Sequence, residues 1–259
     1  MSGAHDLGAI GLAGDPASPV HRLDPRAKVI GLAAVTLVAV STPLRAWPAF
    51  AACALALVAV AALARIGPAT ILRRARVVLP LILFVAAFVP FARAGGARLE
   101  LGPLTVSEAG LGIFATVAAK AAIGTASAVL LGATTSFPDV LHALERLRAP
   151  RLLVLIAGFM YRYLFVVAGE VSRMRAALAA RGYRPRHALQ AGALGRAATA
   201  LFLRTHSRAE RVHLAMLARG SGGAMRRLDV LALTRADAVF VAAIAVALVP
   251  ARVLSEGLL

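Results

Sequence analysis

Two short stretches combine residue types that can do recognition chemistry. One is Ala180-Arg181-Gly182, followed by Tyr183; the other is Ala218-Arg219-Gly220, followed by Ser221. The arginines stand 38 positions apart. Guanidinium presents a planar fork of donors that fits a carboxylate in two parallel bonds. With alanine and glycine as flanks, each would be free to enter an acidic pocket on a partner. Helix termination also accounts for each end, because arginine in a last turn suits the helix dipole and glycine just beyond it supplies a left-handed cap. One such end reads as a cap; the repetition raises the docking reading to equal standing.

Other polar residues carry less. Asp24-Pro25-Arg26 reads as a helix N-cap with proline in the first turn, or as an ion-pair brace for a neighbouring helix. Lys120 lies inside an apolar run, where it either snorkels or bonds a neighbouring carbonyl, and an ionisable group at that depth is a candidate for function. Gly124, Ala128 and Gly132 form a stripe of small residues suited to close helix contact. Arg204, Arg208 and Arg211, with Glu210 between them, recur at helical spacing and read as a solvated face, as a support for docking or as a face toward lipid phosphates. The six histidines show no metal-ligand spacing, and no GxxxxGK[ST] phosphate loop occurs, so neither a resident metal nor ATP is expected on this chain. Paired carboxylates are absent from the apolar runs, which argues against a proton-coupled pump.

The elements that must position these arginines are helices in a membrane. The chain has 259 residues, of which 60% are apolar and 16% charged. Mean hydropathy is +0.79. Soluble domains are about 45–50% apolar and about 25% charged. A single cysteine, Cys53, in an apolar run reads as buried packing and excludes a disulfide scaffold. The first 28 residues carry Asp6, Asp15 and Asp24 and no apolar core of a cleavable signal peptide. Five runs read as spans: about 29–44, 49–63, 77–91, 111–133 and 236–254. The second and third fall short of the roughly 20 residues that cross hydrocarbon, so their ends must reach into the interface.

The net charge of +17 would suit a nucleic-acid partner, but its distribution argues against one. Seventeen arginines crowd between Arg146 and Arg235, whereas Lys120 and His142 are the basic side chains between Gly102 and Arg146. That is the pattern of a cytoplasmic block beside spans. With the N-terminus inside, Arg65, Arg73, Arg74 and Arg76 also fall inside. The run Leu152–Val171 is apolar enough to cross, yet a crossing would place thirteen arginines outside, and Arg162 sits at its centre. It is therefore expected to embed in the membrane without crossing. Three helices are expected on the cytoplasmic side: a short one after Ser136, one from about Pro150 to Arg181, and one from about Leu189 to Arg219.

The paired Ala-Arg-Gly ends resemble the signature of the transmembrane T component of energy-coupling factor (ECF) transporters. The stretch from Arg208 to Gly220 is similar to the cobalt-type (CbiQ) branch, and His21-Arg-Leu-Asp-Pro-Arg-Ala-Lys28 is similar to the family's N-terminal motif. The resemblance runs from about residue 18 to the last span. Ser221 departs from it, since an aromatic residue is expected there as at Tyr183. The resemblance implies a coupling subunit without enzyme activity. It implies two ABC-type ATPases that bind the ATP and magnesium, and a membrane S component that binds the substrate, cobalt in this branch. It also implies that Arg181 and Arg219 dock into the ATPases, flanked by Ala180, Gly182, Ala218 and Gly220. Asp24, Arg26, Arg208, Glu210 and Arg211 would support them, and the small-residue stripe could face the S component.

The expected fold is all-α: a multi-pass protein of the cell membrane with about five transmembrane helices and three cytoplasmic coupling helices. Residues 1–133 hold the N-terminal segment and four spans, 134–235 the coupling region, and 236–259 the last span, with the C-terminus outside. The bilayer is itself a partner, and nucleic acid is not. The rival readings are a membrane-bound lipid-modifying enzyme, which needs a carboxylate or histidine cluster at the interface, and a stand-alone permease, which needs polar groups along a path.

Overall fold

A computed structural model describes residues 18–43, 46–76, 80, 84, 98–101, 104–183, 192–220 and 233–256. The expected third span, 77–91, lies outside the described residues except for Pro80 and Phe84. Among the described residues the fold is all-α apart from one short hairpin. It divides into two units, one of residues 11–143 and 231–259, the other containing residues 144–230. The first boundary falls ten residues later than the sequence division and the second five residues earlier.

The first unit opens with α1 (Pro19–Arg22), α2 (Pro25–Ser41), α3 (Trp47–Leu63) and α4 (Pro68–Ala75). Each of these four begins with proline in its first turn, where the missing N–H costs nothing. The carboxylate of Asp24 caps α2 by accepting from the Arg26 N–H at 2.8 Å. A hairpin of β1 (Arg98–Leu101) and β2 (Leu104–Ser107) precedes α5 (Glu108–Thr134). The short helix α6 (Phe137–Arg146) follows, with Ser136 at its start and Pro138 in its first turn. The last helix is α9 (Arg235–Glu256).

Apolar side chains of α2, α3, α5 and α9 share one core, centred on Val35, Cys53, Ile123, Leu130, Ile244 and Leu248. Leu37, Leu55, Val58 and Val246 point outward and are well exposed. A unit apolar inside and outside suits hydrocarbon surroundings. Among the described residues, two helices are long and apolar enough to span a membrane, α5 from Gly112 to Thr134 and the helix Arg151–Ala180, and α3 with α4 is a further candidate bent by 117°. The bend has a local cause. Arg65 takes a left-handed conformation at φ 55°, and Ile66 N–H returns to Ala61 O at 3.0 Å, which closes the last turn of α3.

A buried polar corner ties one end of this unit. The Asp237 carboxylate accepts from the Thr234 N–H and hydroxyl, each at 2.7 Å, and from the Asp24 N–H at 2.6 Å. Lys28 donates to the carbonyls of His21 and Thr134, both at 3.1 Å. Asp24, Lys28 and Asp237 are each under 5% exposed. Thus the starts of α2 and α9 and the end of α5 lie together. At the other end, Lys120 donates to Val40 O at 2.7 Å and Arg252 to Ser41 O at 3.1 Å. Both cations satisfy carbonyls left open where α2 stops.

The second unit is dominated by α7 (Arg151–Ala180) and α8 (Gly192–Ala218), neither of which has a buried residue. Pro150 precedes α7, after Arg148 at φ 66° has closed the turn that ends α6. The expected bounds of α7 hold to within a residue; residues 189–191, the expected start of α8, lie outside the described set.

Candidate functional site

The two helices run antiparallel. A cleft of about 440 Å³ sets Ile156, Phe159 and Tyr163 of α7 opposite Val212 and Met216 of α8. A second cleft, of about 590 Å³, sets Glu170, Arg173 and Arg181 opposite Ala193, Arg196 and Arg204. Glu170 marks the place where the two regions meet. Its carboxylate accepts from Arg173 at 2.7 Å and from Arg204 of the facing helix at 2.8 Å.

Both arginine ends are built alike. Gly182 stands at φ +75° and Gly220 at φ +68°, a region open to glycine and strained for other residues. Gly182 N–H bonds Ala179 O, and Gly220 N–H bonds Leu217 O, each at 3.0 Å. At the first end Tyr183 N–H also returns to Leu178 O at 3.0 Å, completing a Schellman motif. Residue 221 lies outside the described residues. Because the glycines stop the helices, Arg181 and Arg219 are the last residues before the chain turns away, and both side chains are exposed. Ala180 and Ala218, also exposed, add no bulk beside them. A Cβ on either glycine would meet nothing within 4 Å, so the glycines serve backbone conformation rather than packing.

The antiparallel course separates the two ends. Arg181 closes α7 beside the start of α8, whereas Arg219 lies past Met216, level with the start of α7. About 26 residues at 1.5 Å each put the tips roughly 40 Å apart. The capping reading and the docking reading are thus both compatible with one geometry: the caps are made by the backbone, and the guanidinium groups are left over.

The supporting residues divide. Asp24 is the α2 cap, with Arg26 at 3.7 Å from its carboxylate, and its bonds to α2 and Asp237 lie within the first unit. Arg204, Arg208 and Arg211 do not form one solvated face: Arg204 pairs with Glu170, Arg208 is half-buried along the apolar cleft, and Arg211 is exposed. Glu210 faces His206 one turn back at 3.5 Å. Lys120 bonds a carbonyl, the second of its two sequence readings. Gly124 approaches Thr36 of α2, with its would-be Cβ at 3.8 Å, so this part of the small-residue stripe packs within the chain.

Sequence reasoning passed over Glu170, Lys28 and Asp237. Each had a signal. Glu170 is the one acid between Glu145 and Glu210, set at the end of an apolar run among arginines. Thr234-x-x-Asp237 is a capping-box spacing before an apolar helix. Lys28 is a cation one residue ahead of a span.

A family model described as CbiQ, cobalt transport protein, matches residues 16–229. A putative ABC transporter ATP-binding protein of Bifidobacterium longum is 28% identical over 260 residues, which covers 91% of this chain. The chain spans about a third of that relative's length, 32%.

Proposed function

The chain belongs to the CbiQ cobalt transport protein family, a transport component of the membrane, and from that footing we propose that it is the coupling subunit of an ECF-type importer. In this reading α7 and α8 join two ABC-type ATPases to a substrate-binding S component, and cobalt is the cargo. ATP and magnesium belong to the ATPases.

The observation that carries the reading is the pair of identically capped arginines at opposite ends of one antiparallel helix pair. A separation of roughly 40 Å suits two docking sites and is too wide for one acidic pocket. Each arginine would enter a groove on one ATPase, with Ala180 and Gly182, or Ala218 and Gly220, allowing close approach. Charge-assisted bonds there are about twice as strong as neutral ones. A rigid helix pair held at both tips turns a change in ATPase spacing into a change in helix crossing. The B. longum relative, named as an ATP-binding protein of an ABC transporter, supports an ATPase as the working partner.

Parity supports the placing of α7. Thr134 at the end of α5 and Asp237 at the start of α9 tie to the same buried corner. In this reading the chain between them crosses the bilayer an even number of times. α7 has the length and apolarity to cross, but α8 carries Arg196, Arg204, Arg208, Glu210 and Arg211. The intervals 184–191 and 221–232 are shorter than the roughly 20 residues a crossing takes. A lone crossing would break parity, which favours α7 lying along the membrane with the thirteen arginines of 172–235 on the cytoplasmic side and α9 leading outward.

The test is co-purification from native membranes with the tagged full chain, as wild type and as Arg181→Glu/Arg219→Glu. Wild type is expected to bring down ABC ATPase subunits and an S component, and the double variant to lose the ATPases at unchanged membrane level. No ATPase with either form overturns the reading. ATPases retained by the double variant overturn the docking residues alone.

A further inference from the structure

The second cleft between α7 and α8 holds more positive charge than its one acid can absorb. Arg173, Arg181, Arg196 and Arg204 line it together with Glu170. Glu170 is already shared between Arg173 and Arg204. Among the described residues no carboxylate pairs with Arg181 or Arg196. The cleft therefore keeps an excess of three positive charges around about 590 Å³. Two guanidinium groups on facing helices share the same carboxylate, Arg173 at 2.7 Å and Arg204 at 2.8 Å.

Position along α7 narrows the ligand. The helix is apolar from Leu152 to Val171, with exposed Leu152, Ile156, Met160 and Leu164. Glu170 and Arg173 mark the end of that run. The cleft begins where hydrocarbon contact stops, at the depth of headgroups, if α7 lies in the membrane as proposed above. Cytoplasmic leaflets carry anionic lipid, and arginine forks bind phosphate in paired bonds.

We propose that this cleft binds the phosphate of an anionic phospholipid headgroup, held by Arg173, Arg196 and Arg204. The lipid's acyl chains would run beside the apolar half of α7, and Arg181, at the far end of the cleft, would remain available to a protein partner. A bound lipid would anchor the helix pair to the leaflet at one fixed point, so that motion of the tips becomes rotation about the Glu170 level. The inference rests on the membrane-embedded reading of α7 and is separable from ATPase docking, because Arg173 and Arg196 are not docking residues.

The experiment is native mass spectrometry of the purified, delipidated full chain, titrated with phosphatidylglycerol or with phosphatidylcholine of the same acyl chains. Wild type is expected to prefer phosphatidylglycerol by about tenfold or more, the worth of one charge-assisted hydrogen bond. Arg173→Gln/Arg196→Gln is expected to lose that preference while still co-purifying with the ATPases. Arg196→Gln alone, exposed at the start of α8, carries the same expectation at smaller size, so a double variant that fails to fold does not remove the test. Arg175→Gln, exposed on α7 but outside the cleft, is expected to behave as wild type. Equal binding of both lipids, retained preference in the cleft variants, or equal loss in Arg175→Gln each overturns the site. Displacement of the lipid by millimolar inorganic phosphate makes it a site for the free anion and overturns the lipid assignment.

Discussion

The two units hold themselves together by opposite means. In the first, four helices bury Val35, Leu130, Cys53 and Ile244, and one end is locked by carboxylate, lysine and carbonyls under 5% exposed. In the second, two helices longer than most in the first bury nothing, and a single exposed ion-pair triad at Glu170 joins them. Exposed ion pairs contribute little, about 0–1 kcal/mol. One unit is thus specified by its own interior; the two long helices of the other have no buried residue.

The comparison breaks most visibly at the polar corner. Asp237→Leu leaves the buried N–H of Asp24 without its acceptor and removes one of the carboxylates that offset the buried charge of Lys28. Removing one partner of a buried charged network costs on the order of 3–5 kcal/mol. Thermal unfolding of the full chain in detergent is expected to show a large fall in Tm, or no folded protein, whereas Glu170→Gln in the second unit leaves Tm near wild type. If the two substitutions are equally harmful, the contrast between the units is wrong.

Next in size is the effect of one arginine at a time. Truncating a desolvated interface charge costs about 2–5 kcal/mol. Because the tips are far apart, Arg181→Glu alone is expected to leave a complex with one ATPase, and Arg219→Glu alone to leave the other. Native mass spectrometry of the co-purified complex reads the stoichiometry. Loss of both ATPases from either single variant shows that the tips do not act as two sites.

Gly31→Ala tests the packed unit more gently. Its Cβ would stand 2.7 Å from Ile244 Cδ1 and 3.0 Å from Phe240 Cε1, so α2 and α9 must shift or repack. Overpacking of this kind costs typically about 1–3 kcal/mol and lowers Tm. Gly182→Ala, by contrast, meets no atom but forces alanine to φ +75°. The cost is about 1–2 kcal/mol, local to the end of α7. ATPase binding is expected to weaken while the main thermal transition stays in place. Smallest is Lys120→Met, which leaves Val40 O without its donor and is expected to cost about 1 kcal/mol in the same melt.

Membrane character, the helices and both arginine ends were legible in the residues. Apolar runs declare themselves by length, and Pro25, Pro48, Pro68, Gly182 and Gly220 punctuate the chain wherever the backbone must start or turn. Asp24 as a cap was legible for the same reason: the bond to Arg26 N–H is two residues away. The splitting of the Arg204–Arg208–Arg211 row was not, because nothing within α8 says that Glu170, 34 residues earlier, takes Arg204 and that Arg208 lies along a cleft. Nor was the hairpin at 98–107 read from that loop, whose strands are four residues each.

What the sequence determined by itself is therefore local. Helix ends, caps and apolar runs depend on neighbours within about one turn, and their energetics are written in consecutive residues. Tertiary structure decided which ends meet. It brought Asp24, Thr134 and Asp237 to one corner. It also ran α7 and α8 antiparallel, which sends two identical sequence motifs to opposite ends of the same pair. Those outcomes depend on contacts between residues tens to hundreds of positions apart, where burial of a charge is tolerable only if a distant partner arrives to satisfy it.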